Sequence, residues 1–278
     1  MKKIVSIQDI SCFGKCSLTV ALPVVSAMGV ECAIIPTAVL STHTGGFTGY
    51  TVRDLTDDIE KIADHWESIP LSFDAVYTGY LSSAKQVDIL LDFFNRFGRD
   101  SLLFVDPAMG DKGKLYAGFS DSFPKEMAKL CAVSDVTVPN LTEACAMLGV
   151  EYIDSGYDKD YIENILHKLR DTGAKNAVLT GVSFSDDKLG IALLKEGANE
   201  VFYYFTEKIP RSYHGTGDLF SSCCVGALTR GMSLEDSISL AADFTVKSIK
   251  ATYDDPEYTY SVKFEKCIPY LVKQLEKG

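Results

Sequence analysis

Short apolar runs alternate along the chain with longer stretches in which apolar residues recur every three or four positions. The short runs are typical of buried strands, and the longer spacing is typical of amphipathic helices. The pattern predicts strands at 3–8, 32–40, 74–78, 102–105, 135–138 and 177–180, and a hairpin of 189–195 with 200–206 that turns at 196–199. It predicts helices at 18–28, 53–67, 83–97, 121–132, 141–148, 158–172, 217–230, 234–252 and 262–276. Pro36 indicates that the second strand lies at a sheet edge or contains a bulge.

The alternation of strands and helices predicts an α/β fold, a three-layer sandwich with a mainly parallel central sheet and helices on both faces. No proline-rich or Gly/Ser-rich linker, internal repeat or low-complexity segment divides the chain, so residues 1–278 are predicted to form a single domain. Ligands of such sheets bind beyond the carboxyl ends of the strands. The residues that follow each predicted strand are therefore the first candidates for a functional site.

The overall charge narrows the classes of partner. A net charge of −11 disfavours general nucleic-acid binding and anionic membrane surfaces, both of which select basic patches. Residues 1–9 lack a signal-peptide pattern, and no apolar run approaches the roughly 20 residues of a membrane helix, so a cytoplasmic location is expected. The eight cysteines are dispersed without paired metal-ligand spacing and are expected to be reduced.

The tetrapeptide Gly215-Thr216-Gly217-Asp218 opens the helix predicted at 217–230. The first backbone N–H groups of a helix have no partner within it, and the helix dipole adds positive potential, so this helix start is a candidate anion site. An Asp at such a site is expected to serve as a base, kept ionised by that potential, which suggests phosphoryl transfer to a hydroxyl. The alternative is an ordinary helix cap, because Gly, Thr and Asp are common in caps.

Polar residues also follow the other predicted strands: Asp9 with Ser11, the run 41–46, Gly79 with Tyr80, the runs 106–116 and 139–143, and Thr180 with Gly181. Asp106, Asp111 and Glu143 could hold Mg²⁺, which prefers oxygen ligands, although each alone is also explained as a turn or solvated residue. Lys112 and Lys114 could neutralise phosphate charge or be simply solvated. A P-loop and a Rossmann glycine fingerprint are both missing, so an ordinary P-loop kinase or dinucleotide dehydrogenase is not expected.

Several segments carry a resemblance to a known family: Ser6-Ile7-Gln8, Ser41-Thr42-His43-Thr44, Thr78-Gly79-Tyr80, Asp106-Pro107-Ala108-Met109-Gly110-Asp111 with Gly113-Lys114-Leu115-Tyr116, and Pro139-Asn140 with Glu143. Together with Gly215-Thr216-Gly217-Asp218, they resemble the ribokinase-like superfamily and, within it, the pyridoxal (vitamin B6) kinases. The tetrapeptide resembles the superfamily as a whole, and two elements narrow the resemblance to B6 kinases: Ser41-Thr42-His43-Thr44, and the loop 106–111 with the later Tyr116. It covers nearly the whole chain.

The resemblance implies ATP-dependent phosphorylation of the 5′-hydroxymethyl group of pyridoxal, pyridoxine or pyridoxamine, with Asp218 as the base. By the same resemblance, Gly215, Thr216 and Gly217 would hold the migrating phosphoryl group. The implied substrate-binding residues are Asp9, Ser11, His43, Thr44 and Tyr80. The implied ATP-binding residues are Asp111, Tyr116, Asn140, Thr180 and Thr216, and the implied metal-binding residues are Asp106 and Glu143. The resemblance also implies Mg²⁺, a homodimer and, as a further candidate cofactor, a monovalent cation such as K⁺.

Two positions depart from the family pattern. Asp9 stands where the family usually has a serine, and a carboxylate there could pair with the ring nitrogen, the phenolic hydroxyl or an amine side arm. This suggests a preference for pyridoxamine over pyridoxal. Gly181 stands where some relatives have a serine, which puts one nucleotide contact in question.

Two alternatives stay open. One is a kinase for hydroxymethylpyrimidine or another small alcohol of the same superfamily. Sugar kinases typically have a Gly-Gly element near the N-terminus that this chain lacks, and the pyrimidine kinases resemble it less at 41–44. The other is a non-catalytic protein that binds pyridoxal phosphate, which the intact Asp218 disfavours.

Overall fold

A computed structural model describes residues 1–276, and its Cα positions divide into two compact units. The first unit combines Met1–Tyr77 with the chain from Ile209 onwards, and the second is the continuous stretch Thr78–Lys208. The division falls inside a strand, β4 (Ala75–Thr78). The single domain expected over 1–278 stays a prediction, and residues 277–278 lie outside the described part of the chain.

In the first unit, the hydrogen-bonded order of the strands is β4-β1-β2-β3, with β1 at Lys3–Ser11, β2 at Glu31–Leu40 and β3 at Val52–Asp54. β1 and β2 are parallel, and the short β3 is antiparallel to β2. The register of β1 and β2 shifts next to Pro36, which pairs with Gln8, before Ile10 pairs with Val39. Pro36 therefore lies at a bulge, one of the two positions predicted for it.

The helices of the first unit are α1 (Leu18–Ala27), α2 (Thr56–Glu67), α7 (Thr216–Thr229), α8 (Leu234–Tyr253), a short 3-10 helix (Phe264–Cys267) and α9 (Ile268–Leu275). α7 packs against α1 and α8 and is buried along most of its length. Gly226 makes this close packing possible, because a Cβ there would lie 2.5 Å from the sulfur of Met28. The packing fixes the direction of α7 and hence the position of its first turn.

In the second unit, the strand order is β11-β10-β9-β8-β5, with β5 at Leu102–Val105, β8 at Val136–Thr137, β9 at Asn176–Ser185, β10 at Lys188–Leu194 and β11 at Phe202–Glu207. β8 is parallel to β5 and β9, whereas β9, β10 and β11 form an antiparallel meander. A separate hairpin joins β6 (Gly110–Asp111) to β7 (Lys114–Leu115). The helices are α3 (Ala84–Phe97), α4 (Phe123–Ala132), α5 (Leu141–Leu148) and α6 (Lys159–Asp171).

Several predicted boundaries are wrong for identifiable reasons. β1 continues to Ser11 because β2 pairs with it beyond the bulge, and β9 continues to Ser185 because β10 pairs with it. The helix predicted from 53 starts at Thr56, whose N–H donates to Asp54 Oδ1 at 2.8 Å, and 52–54 form β3 instead. The helix predicted at 262–276 is shorter: α9 begins at Ile268, directly before Pro269, and Phe264–Cys267 form a 3-10 helix.

The predicted α/β class with a mainly parallel sheet is confirmed, and so is the antiparallel pairing of the two strands around 196–199. Within residues 1–276, no helix combines the length and apolarity needed to cross a membrane.

Candidate active site

The first turn of α7 provides an open position for an anion. Gly215 caps the helix with a φ of 78°, a left-handed backbone that favours glycine, and a Cβ there would overlap the carbonyl oxygen of Lys15. The first bond within the helix runs from the Leu219 N–H to the Gly215 carbonyl at 3.0 Å, so the N–H groups of residues 216–218 have no partner inside α7. A Cβ on Gly217 would meet no atom within 4 Å. N–H groups without a partner at a helix start are suited to bind a small anion.

Asp218 lies in this turn, and its carboxyl group is desolvated. The pKa of Asp218 is raised to about 6, chiefly by burial and also by the charge of Asp9, against hydrogen bonds from the Ser17 N–H and the Cys16 thiol that lower it. Burial outweighs the contacts that favour the charged form of Asp218, so its pKa lies above the usual range of a carboxyl group. Asp218 is ionised at neutral pH and titrates near pH 6.

Asp9 and Ser11, predicted to follow the first strand, lie inside β1 near its carboxyl end. Both are buried, and the Ser11 hydroxyl donates a hydrogen bond to Asp9 Oδ2 at 3.0 Å. Burial raises the pKa of Asp9, although hydrogen bonds from the Ser17 and Ser11 side chains oppose the shift. Asp9 is buried and Asp218 is half-buried, and these two acids, the first acid pair, interact electrostatically.

His43 is buried, and the protein uses both of its ring nitrogens. Nδ1 accepts from the Gly45 N–H at 3.1 Å, so Nε2 carries the proton and donates to the Tyr260 carbonyl at 2.8 Å. Burial lowers the pKa of His43 although the bond to Tyr260 opposes this, and His214, with its ring centroid 5.0 Å away, lowers the pKa further. The neutral His43 can therefore line a ligand site with its ring rather than with a nitrogen. Thr44, the next residue, is half-buried.

In the second unit, Glu143 is a buried capping residue rather than a solvated one. Asn140 caps α5: its Oδ1 accepts from the Glu143 N–H at 3.0 Å, and Glu143 Oε2 accepts from the Asn140 N–H at 2.8 Å. Glu143 Oε1 accepts from the N–H groups of Met109 at 3.1 Å and Gly110 at 3.5 Å. Glu143 therefore ties the start of α5 to the loop that follows β5.

Asp106 and Glu143, the second acid pair, are close enough to affect each other's charge. Burial raises the pKa of Glu143 well above its usual range, and the negative charge of Asp106 adds to the shift. Within residues 1–276, no group of three or more His, Cys, Asp and Glu side chains is arranged to hold a metal. Two buried acids still suit Mg²⁺, which often takes one or two carboxylates together with phosphate and water oxygens. Glu143 already accepts from three backbone N–H groups, and a carboxylate has about four acceptor sites, so one remains for a cation.

Asn140 and Thr180 make backbone contacts that hold this region together. Asn140 Nδ2 donates to the Gly110 carbonyl at 2.8 Å, and Asn140 forms an isolated parallel bridge with Thr180. The Thr180 N–H donates to the Pro139 carbonyl at 3.0 Å. Thr180 lies inside β9 rather than after a strand. The structure therefore brings Asn140 and Thr180 together beside the second acid pair.

The remaining predicted residues of this unit lie nearer the surface. Asp111 and Tyr116 are exposed, and Asp111 Oδ1 accepts from the Lys112 N–H at 2.9 Å. Lys112 has a left-handed φ of 51° in the turn of the β6–β7 hairpin. Tyr80 is half-buried, with its ring centroid 5.4 Å from that of Phe119. The roles of these residues toward ATP and substrate stay predictions.

The residues that support the site were missed by the sequence analysis. Cys16 and Ser17 lower the pKa of Asp218, and the Tyr260 carbonyl accepts from His43. Only Ser17 carried a local signal, because serine commonly caps a helix and Ser17 precedes α1. Its side chain does not cap α1, however, and lowers the pKa of Asp9 instead.

Comparisons with known proteins agree on one family. The family model described as phosphomethylpyrimidine kinase matches residues 20–262. A pyridoxal kinase, PdxY of Aliivibrio fischeri, is 30% identical over 252 residues, which cover 85% of this chain and 84% of that protein. The thiamine biosynthetic bifunctional enzyme TH1 of Arabidopsis thaliana is 26% identical over 238 residues and is longer. The chain spans 44% of TH1 and 45% of a similar rice enzyme, less than half the length of either.

Solved structures extend the match to the whole fold. A Bacteroides thetaiotaomicron protein, described as a candidate phosphomethylpyrimidine kinase, has a TM-score of 0.92 at 36% identity, covering 97% of this chain and 93% of that one. Pyridoxal kinase from Lactobacillus plantarum has a TM-score of 0.90 at 31% identity, covering 100% and 99%. These matches confirm the resemblance to the ribokinase-like pyridoxal kinases. The chain therefore belongs to the phosphomethylpyrimidine kinase family, and its relatives include pyridoxal kinases.

Proposed function

We propose that this protein transfers the γ-phosphoryl group of ATP to the 5′-hydroxymethyl group of pyridoxal, pyridoxine or pyridoxamine. The observation that carries the proposal is Asp218, a desolvated carboxyl group with a pKa of about 6 in the first turn of a helix whose first N–H groups have no partner within it. A group that titrates near the working pH is suited to accept a proton, and helix-start amides are suited to stabilise a phosphoryl group. The relatives support the choice of substrate, because two of them are named pyridoxal kinases and a second crystal form of the Bacteroides protein contains pyridoxal.

In the proposed reaction, the substrate oxygen bonds to the γ-phosphorus while the bond from that phosphorus to the departing ADP oxygen breaks. Asp218 accepts the proton of the substrate hydroxyl, Gly215, Thr216 and Gly217 hold the phosphoryl group, and the free N–H groups of the helix start stabilise its negative charge. Alignment and charge stabilisation account for most of the catalysis of such transfers, so no covalent intermediate with the protein is needed. Asp9 is proposed to bond a polar substituent of the ring, and the neutral ring of His43 to pack beside it. Ser11, Thr44 and Tyr80 complete the proposed substrate contacts.

The second unit is proposed to bind ATP and Mg²⁺ through Asp106, Asp111, Tyr116, Asn140, Glu143 and Thr180, and Thr216 of the first unit is proposed to contribute to ATP binding. Mg²⁺, when bound, would neutralise charge on the β- and γ-phosphates. The second acid pair supports this assignment, because a cation would relieve the repulsion that raises the pKa of Glu143. Following the family resemblance, we also propose a cytoplasmic homodimer that uses K⁺.

Phosphorylation of hydroxymethylpyrimidine is the second candidate, favoured by the description of the matched family. The first acid pair fits it as well, since Asp9 would also accept a hydrogen bond from an amino substituent on a pyrimidine ring.

The deciding experiment is an assay of ADP formation with ATP and Mg²⁺, in which each of the three B6 vitamers and hydroxymethylpyrimidine is offered separately. We expect the highest kcat/KM with a B6 vitamer. A highest value with hydroxymethylpyrimidine would select the second candidate, and binding of pyridoxal phosphate without turnover of any alcohol would indicate a non-catalytic binding protein. Repeating the assay with a chelator and without K⁺ tests the cofactors, and light scattering tests the homodimer.

A further inference from the structure

Lys15, in the loop between β1 and α1, has a backbone that is costly to form. Its φ of 57° lies in a region that residues other than glycine rarely adopt, and Ser17, two positions later, has a φ of 52°. Across residues 1–276, Lys112 is the only other non-glycine residue with a positive φ. Backbone of this kind persists where surrounding contacts fix it, and it is concentrated at functional sites. The contacts of Lys15 therefore indicate what its conformation is for.

The ammonium group of Lys15 is bound by a distant part of the first unit. Nζ donates to both carboxylate oxygens of Glu265, each at 2.8 Å, and to the Val262 carbonyl at 3.0 Å. The ring centroids of Tyr258 and Phe264 lie 5.0 Å and 5.2 Å from Nζ. An ammonium group has three N–H donors, and these three acceptors use all of them. In this arrangement the Lys15 side chain anchors its loop and has no donor left for a phosphate.

The carbonyl group of Lys15 lies against the cap of α7. Its oxygen occupies the space that a Cβ of Gly215 would need, and the Ser261 hydroxyl donates to the same oxygen at 3.2 Å. Gly215 begins the turn in which the N–H groups of residues 216–218 have no partner inside α7. The position of the Lys15 carbonyl therefore limits where this turn can lie.

We propose that Lys15 is a positioning residue: its side chain, anchored to Glu265, holds its carbonyl group against Gly215 and so sets the position of the first turn of α7. This inference rests on the proposed function, in which Gly215, Thr216 and Gly217 hold the phosphoryl group. All of these residues belong to the first unit. The anchor matters for phosphoryl transfer because backbone amides stabilise a developing charge only when they are held where that charge develops.

A second lysine of the same region provides a matched control. Lys263 Nζ forms an ion pair with Asp255 and lies 4.9 Å from the centroid of the Tyr258 ring, and the side chains of Lys263 and Lys15 are 18% and 22% exposed. Lys15→Met and Glu265→Gln each break the anchoring ion pair, and Lys15→Arg keeps a cation in it. Lys263→Met breaks the control ion pair instead. Urea unfolding of each variant measures any general loss of stability.

The first readout is the backbone amide signals of Gly215 and Gly217 in ¹H–¹⁵N NMR spectra of the protein without ligand. Glu265 is linked to the cap of α7 through Lys15, so a shift of these signals in Glu265→Gln reports the anchor. We expect both signals to shift in Lys15→Met and in Glu265→Gln, and the double variant to shift them no further than Lys15→Met alone. Lys15→Arg and Lys263→Met should leave them close to those of the unmodified protein. Unshifted signals in Glu265→Gln, or an equal shift in Lys263→Met, would overturn the proposal, and this comparison holds even if Lys15→Met does not fold.

The second readout separates phosphoryl-group contacts from binding of the ring. Because misplaced amides act on the transition state, Lys15→Met should lower kcat with a B6 vitamer by about ten- to hundredfold and change the KM of the vitamer by less than about threefold. The dissociation constant of pyridoxine 5′-phosphate should rise about tenfold relative to that of pyridoxine, and Lys15→Arg should restore most of both losses. Equal losses of affinity for pyridoxine and its phosphate would indicate disturbed ring binding and would overturn the proposal. If the unmodified protein neither binds nor phosphorylates a B6 vitamer, the proposed function fails, but the amide signals still decide the role of Lys15.

Discussion

The two acid pairs, Asp9 with Asp218 and Asp106 with Glu143, differ in the groups that oppose the effect of burial on their pKa values. In each pair, burial raises the pKa of a carboxyl group, and the charge of its partner adds to the shift. In the first pair, the groups that lower the pKa are hydroxyl and thiol side chains and the N–H of Ser17, a residue with a left-handed backbone. In the second pair, three backbone N–H groups of a helix cap and a loop donate hydrogen bonds to Glu143.

This difference separates a reactive acid from a structural one. A carboxyl group that titrates near pH 6 beside an open helix start can exchange a proton with a bound alcohol. A carboxylate that accepts three amides is a fixed acceptor that joins two segments of backbone, and it carries its charge toward a cation. The neighbours of an acid, more than its place after a strand, therefore decide what the acid can do.

The largest expected effect concerns turnover and the first acid pair. Asp218→Asn keeps the shape of the side chain but cannot accept a proton, so kcat should fall by about 10²–10⁴-fold. The free energy of unfolding at neutral pH should not decrease, because the substitution removes a desolvated charge. Steady-state kinetics and urea unfolding measure the two effects. Turnover within tenfold of the unmodified protein would contradict the assignment of Asp218 as the base.

The next effect concerns stability and the second acid pair. Glu143→Ala leaves three backbone N–H groups without their acceptor, and a buried unsatisfied group costs about 1–3 kcal/mol, so the free energy of unfolding should fall by about 2–5 kcal/mol. Urea unfolding measures the loss, and Glu151→Ala, at an exposed position, is the matched control. A loss in Glu143→Ala no larger than in the control would show that the cap does not depend on the carboxylate.

A smaller effect is the pH dependence of stability without Mg²⁺. The folded protein holds the pKa of Glu143 above its usual value of 4.5, so the folded state binds more protons than the unfolded state above that pH. The free energy of unfolding should therefore fall as the pH rises from 4.5 towards the raised pKa. Asp106→Asn removes the repelling charge and should make this fall shallower, as should Mg²⁺. Urea unfolding across pH in a chelating buffer tests this, and identical slopes with and without Asp106 would contradict the coupling.

The smallest effect concerns the choice of vitamer. Asp9→Ser should lower kcat/KM for pyridoxamine relative to pyridoxal by about tenfold, because a hydrogen bond between charged groups contributes about 1.5–3 kcal/mol. The same substitution removes a charge that raises the pKa of Asp218, so the acid limb of the profile should move to lower pH. Competition between the two vitamers within one assay provides the internal control. An unchanged ranking would show that Asp9 does not select for an amine.

Local signals account for the parts of the fold that sequence predicted well. β5 and α5 begin and end where the apolar runs and caps indicate, and the first turn of α7 follows from its glycines. The carboxyl ends of β1 and β9 were predicted short because their last residues pair with neighbouring strands. Pairing of this kind has no periodic signature within the strand itself.

The supporting residues of the site could not be predicted for the same physical reason. The left-handed backbone of Lys15 and Ser17 has no local cause, and its contacts come from Ser261 and Glu265. The burial that raises the pKa of Asp218 likewise comes from packing around the whole helix. Residue types and spacing identified the acids, but only the tertiary contacts distinguish their environments.

The anchoring of Lys15 also has a consequence for how the chain is made. Its ion pair with Glu265 joins residues 250 positions apart, whereas the second unit is one continuous stretch. Since synthesis runs from the N-terminus and compact units fold as they are completed, the second unit can form while the ribosome is still at work. Lys15 and the helix cap that it contacts reach their final places only after Glu265 has been translated. A nascent chain would then hold Asp106 and Glu143 in place before the surroundings of Asp218, the proposed proton acceptor, are complete.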